Sequence, residues 1–167
     1  DGFRLLRWGG WFRRAGMRNV MLDTHQYLIA MEDPLFSGPA RRLYLRSRRL
    51  PWLYRMLVGA SSIAIRSAAR RIPVLVGEWC VENQWALHSQ NRSAAYRQVS
   101  RLQRAAWDVS AGQIYWSYQL ARSAKPGSGE GKSPRDPRNG GNLEAWDLTR
   151  VWRHGWIRAD TSHDDVP

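Results

Sequence analysis

The sequence predicts an α/β fold built around a parallel sheet, and three observations carry that prediction. Short apolar runs alternate with helix-period segments at intervals that suit βα units. Three successive runs end near a polar or aromatic side chain: His25, Glu78 and Trp116. No Gly-rich phosphate turn follows any of them, although a doubly wound sheet is expected to show one. One rim of an α/β barrel collects chemistry from the carboxyl end of every strand, so a (β/α)8-type barrel is preferred and the doubly wound sheet is the alternative.

Asp1 to Arg14 is aromatic and basic, with Gly9-Gly10 interrupting any continuous helix, and reads as a strand end, a loop and a short helix. Asn19 to His25 is a strand whose alternate positions Met21, Asp23 and His25 share a face. Pro34, Gly38 and Pro39 mark a loop, and residues 40 to 71 are helix-rich around an interruption at Pro51. Arg66, Arg70 and Arg71 fall where cations complement a helix carboxyl terminus.

The run Ile72-Pro73-Val74-Leu75-Val76-Gly77-Glu78-Trp79 is rich in β-branched residues and reads as a buried strand. Strict alternation puts Val74, Val76 and Glu78 on one face and Leu75 and Gly77 on the other. A strand that merely ends in a solvated Glu is the plain alternative. A helix follows from about Arg92 to Val109, with Ala95, Val99, Leu102 and Ala106 as its apolar stripe and Gly112 as its stop. Gln113 to Tyr118 is an aromatic strand with Ile114 and Trp116 on one face. Residues 123 to 142, dense in Ser, Gly, Pro and charge, predict an exposed, mobile loop. Leu143 to His154 returns to helical periodicity, Gly155 ends it, and the tail from about residue 159 is expected to be disordered.

With 167 residues and 43% hydrophobic content, one core domain over residues 1–158 is the simplest organisation. No stretch reads as a membrane span or a secretory signal. The opening at Asp1 without Met is what the interior of a longer protein would show, so location stays open. A formal charge of +12 raises nucleic acid or an anionic membrane surface as partners, but the arginines are spread from Arg4 to Arg158 over solvated helix faces. Nucleic acid is therefore not the expected partner, although a basic Arg/Trp module binding nucleic acid or another polyanion is kept as the alternative. Cys80 is the lone cysteine, expected as a small buried residue rather than a nucleophile. The four histidines are too scattered for a metal site, and no cofactor is implied.

The segments Asp1-Gly2-Phe3, Val20 to Tyr27, Pro73 to Trp79, Ile114 to Tyr118 and Trp146 to Ile157 together resemble the carboxyl-terminal part of a glycoside hydrolase family 5 enzyme, in particular its exo-β-1,3-glucanase-like members. The likeness runs to about residue 158, in the family's order. It implies a partial TIM barrel comprising strands 6 to 8, with the first five strands, the missing amino-terminal half, lying upstream of Asp1. It also implies a β-linked oligo- or polysaccharide as substrate, and an extracellular or cell-surface setting if the chain is like most members.

Retaining glycosidases use two carboxyl groups about 5 Å apart, a nucleophile and an acid/base. The resemblance assigns nucleophilic attack to Glu78, with Tyr27 as a hydrogen-bond donor to it and His25 contacting the sugar or a catalytic carboxyl group. Trp116 would lie under a sugar ring, Trp79 would support Glu78 from behind, and Asp23 would orient His25 or serve as an ordinary inward polar residue. The family's acid sits in an Asn-Glu pair on the fourth strand, which this chain lacks. Glu32, Glu82, Glu130 and Glu144 are poor substitutes, Glu32 being the one placed to line a cleft. The isolated chain is therefore expected to be nearly inactive, and a non-catalytic carbohydrate-binding remnant is a further alternative.

Overall fold

The computed structural model describes residues 7, 8, 11, 14–32, 50–120 and 143–158. The expected loop at 123–142, the tail, Glu130, most of residues 1–14 and all of 33–49 lie outside those residues, although Arg7, Trp8, Trp11 and Arg14 are helical. The architecture is mixed α/β. Strands β1 (Leu22–Gln26), β2 (Val74–Trp79) and β3 (Gly112–Tyr115) form one parallel sheet in the order β1-β2-β3. Between and after them run α1 (Leu28–Glu32), α2 (Leu50–Ala69), α3 (Gln84–His88), α4 (Arg92–Trp107), a 3-10 turn (Leu143–Trp146) and α5 (Leu148–Arg153). Among the described residues no helix is long and apolar enough to cross a membrane.

The helices cover one face of the sheet. Val74 and Val76 are fully buried there with Ala64, Ile65 and Ala68 of α2 and Ala95, Tyr96 and Trp107 of α4. A second cluster joins Leu28, Leu50, Tyr54, Val58 and Val99. On the opposite face Met21, Asp23, His25, Ile114 and Trp116 are exposed. A parallel sheet is ordinarily covered on both faces, and among the described residues only one face of this sheet is covered.

Several elements differ from the sequence expectation, each for a local reason. Pro51 sits in the first turn of α2, where a missing N–H costs nothing, and the helical segment expected before it lies outside the described residues. Helix α4 ends at Trp107 with Asp108 as its cap, so Gly112 opens β3 rather than closing the helix. The carboxyl-terminal helical segment is broken in two because Asp147 takes an extended conformation and caps α5, its side chain accepting from the Arg150 N–H. Two short helices, α1 and α3, were not expected; Asn83 nucleates the second by accepting the Ala86 N–H at 2.8 Å. Gly155 adopts φ +63° just past α5, the left-handed conformation its place as a helix stop requires.

The largest correction concerns Glu78. In the β1–β2 ladder Thr24 pairs with Val76 but His25 pairs with Glu78, so Gly77 is an extra residue in β2. That bulge reverses the alternation beyond it. Val74, Val76 and Trp79 are buried on the helix side, while Glu78 leaves their face and joins the open one.

Candidate active site

Four side chains from the carboxyl ends of β1 and β2 make a connected chain on the open face. The Tyr27 hydroxyl donates to Oε2 of Glu78 at 2.7 Å, and Nδ1 of His25 lies 3.1 Å from the same oxygen. The other ring nitrogen of His25, Nε2, is 3.3 Å from Oδ2 of Asp23. Oδ1 of Asp23 accepts the Gly77 N–H at 3.1 Å, which ties the chain back to the bulge. A carboxylate only accepts, and a neutral imidazole has one N–H, so the ring donates to both carboxylates only when doubly protonated.

The parallel pairing of adjacent strands explains the gathering. His25 lies opposite Glu78, and Tyr27 is the first residue beyond β1, close enough for its ring to reach back over the end of β2. Burial first, then the hydrogen bond to Glu78 and its charge, pushes the Tyr27 phenol well above its ordinary value, so its hydroxyl remains a donor. The Tyr27 ring leans on Trp146, with centroids 5.1 Å apart and planes at 31°. The sequence reading placed Trp146 only in a helical stripe; nothing in its spacing marked it as a support for Tyr27.

Trp116 follows β3, with its N–H bonded to the Trp79 carbonyl at 2.8 Å. Trp79 and Tyr115 pack edge to face at 4.9 Å on the helix side. Glu78 precedes the first of these and Trp116 follows the second, so alternation turns both toward the open face, where the Trp116 side chain is half exposed. Ser117, joined to Trp116 by a cis peptide bond, is anchored by its N–H to the Trp146 carbonyl at 2.7 Å, and the Leu148 N–H returns to the Ser117 carbonyl at 3.0 Å. The 3-10 turn thus holds both the Trp116 segment and Tyr27. Trp79 is buried and also packs edge to face with Trp107, on the helix side of the strand.

The other carboxylates have structural duties. Glu32 does not line a cleft: it is wholly buried, takes the Tyr54 hydroxyl on one oxygen and the Gln84 N–H on the other at 2.8 Å. Donors from α2 and α3 thus satisfy both of its oxygens away from water. Glu82 is buried and accepts from the Tyr96 hydroxyl at 3.2 Å. Glu144, in the 3-10 turn, lies 3.4 Å from His154. Cys80 is fully buried, and burial pushes its thiol well above the ordinary range, as a packing residue requires. Among the described residues no group of three or more His, Cys, Asp or Glu is arranged to hold a metal ion.

The signal that sequence reasoning passed over was Gly77 itself. A lone glycine inside a strand pattern marks a bulge or a close approach, and here a Cβ would sit 2.1 Å from Oδ1 of Asp23. No family model and no curated protein matches the chain.

Proposed function

We propose that this chain is the carboxyl-terminal sector of a retaining β-glycosidase barrel resembling glycoside hydrolase family 5, with Glu78 as its nucleophile. The observation that carries the reading is the convergence of the Tyr27 hydroxyl and His25 Nδ1 on one oxygen of Glu78, on an open sheet face beside an exposed Trp116. The two contacts engage Oε2 and leave Oε1 to attack. Oε1 bonds to the anomeric carbon as the bond to the leaving oxygen breaks, and water later cleaves the ester to return the carboxylate. The apolar face of a glucose ring suits the Trp116 plane.

The proton for the leaving oxygen comes, on this reading, from a carboxyl group outside the described residues, since Glu32, Glu82 and Glu144 are engaged elsewhere. Two uncovered surfaces support an incomplete barrel. One is the open sheet face, which would line the lumen. The other is a stripe of exposed Trp52, Met56 and Ile63 along α2, of a kind a neighbouring helix covers.

The test uses a 2-deoxy-2-fluoro-β-glucoside with a dinitrophenolate leaving group, which departs without a proton. In the longest native form containing this chain, mass spectrometry should find one sugar ester on the peptide carrying Glu78, absent from Glu78→Gln. A label on a different residue, or turnover unchanged by Glu78→Gln, would remove Glu78 from the chemistry. Sugar binding with no label would favour the carbohydrate-binding remnant.

A further inference from the structure

Glu78 reaches the open face only because β2 carries one residue more than its partner strand over this stretch, and the amide of that extra residue is bonded to a side chain of β1. Asp23 uses both oxygens: Oδ1 accepts the Gly77 N–H at 3.1 Å and Oδ2 lies 3.3 Å from His25 Nε2. The fit at Gly77 is tight enough that a Cβ there would approach Oδ1, Cγ and Oδ2 of Asp23 to 2.1, 2.7 and 2.9 Å. The two oxygens of Asp23 are spent on Gly77 and His25 rather than on Glu78, and its side chain is about half exposed, so it is not a core residue.

We infer that Asp23 is a positioning residue for Glu78: by holding the Gly77 amide and the far nitrogen of His25 together, it fixes both the bulge that turns Glu78 outward and the ring that meets it. This rests on the reading of Glu78 as the working carboxylate but concerns a different residue and a different physical step. The acceptor oxygen matters more than the charge. An asparagine at 23 keeps Oδ1 for Gly77 and turns its N–H groups to His25 Nε2, which then accepts and leaves the ring proton on Nδ1 facing Glu78.

The coupling between His25 and Glu78 is measurable without turnover. In the nitrogen-15 labelled chain, Glu78→Gln should move the ring-nitrogen resonances of His25, since Nδ1 is 3.1 Å from the carboxylate. In an Asp23→Ala background the same substitution should move them far less, and in an Asp23→Asn background the response should return. Gly77→Ala, which displaces the carboxylate without removing it, should behave like Asp23→Ala. Backbone amide signals of β2 and α4 report that each variant is folded.

An undiminished response in Asp23→Ala would overturn the inference, as would an Asp23→Asn variant that behaves like Asp23→Ala. If coupling depends on Asp23 as described but the fluoroglucoside labels nothing, the positioning role stands and the glycosidase reading falls. If Glu78 is labelled while coupling ignores Asp23, the reverse holds.

Discussion

Alanine substitutions at Gly77 and Gly59 make the same chemical change and should shift stability in opposite directions. At Gly59, inside α2, an added Cβ meets nothing within 4 Å. Alanine there restricts the unfolded chain and favours the helix, a gain of about 0.5–1 kcal/mol. At Gly77 the new Cβ starts 2.1 Å from Asp23 Oδ1, and ordinary contact begins at 3.4 Å, so the carboxylate must retreat by about 1.3 Å. That breaks the Gly77 N–H bond, about 0.5–1.5 kcal/mol, and disturbs an exposed His25 contact that contributes at most about 1 kcal/mol. The net expectation for Gly77→Ala is a loss of about 1–2 kcal/mol. Urea unfolding monitored by tryptophan fluorescence reads the difference. With a slope of about 2 kcal/mol per molar, the two variants should separate by about 1 M in midpoint. Equal midpoints, or a Gly77→Ala protein more stable than the parent, would refute the close approach of Asp23 to the bulge.

Tyr54→Phe removes a hydroxyl that donates to Glu32 and accepts the Trp85 N–H at 3.0 Å, and should cost about 2–4 kcal/mol in the same unfolding measurement. Burial, ahead of nearby negative charge, holds the Tyr54 phenol well above its ordinary value, and the Tyr115 phenol is likewise raised, by burial first. Their stabilisation is complete below the unfolded tyrosine value near pH 10 and declines as pH rises above it, each at up to about 1.4 kcal/mol per pH unit. Unfolding midpoints that stay flat through pH 11 would contradict this. Asp147 is lowered, because burial is outweighed by donors from Thr149, Leu120 and Arg150 and by the Arg150 charge; its contribution is present above the ordinary carboxylate value and fades as pH falls through the folded one. Asp147→Asn should therefore flatten the acid limb of stability against pH. The Cys80 thiol should resist a disulfide reagent in the native state and react once the chain is unfolded in urea, so rapid native modification would argue against its burial.

Much of the candidate site was legible because strand periodicity is local. The residues around Val20 and Val74 announce two strands, and parallel neighbours bring His25, Tyr27 and Glu78 to one end whatever the rest of the chain does. Their meeting needed only the pairing of adjacent βα units. The helix over 92–107 was likewise written in its apolar spacing, and the placing of Ile114 and Trp116 on a shared face followed from alternation. The break at Asp147 was less visible, since a capping aspartate inside a helical stripe competes with that stripe only when its side chain finds the next turn's amides.

What tertiary structure decided was the direction of Glu78 and the backing of Tyr27. Counting by twos from Val74 sends Glu78 into the helix layer; Gly77 marks β2 for a bulge or a close approach, but nothing within β2 says which of the two it is or what holds it. The correction comes from an aspartate oxygen 54 residues earlier in the chain that takes the Gly77 amide, so close that a Cβ there would have to displace it. Trp146 reaches Tyr27 by the same kind of long-range meeting. Periodicity is a property of neighbouring residues and could be read directly; a bulge held by a distant side chain is a property of two strands already packed, and existed for this chain only once they were.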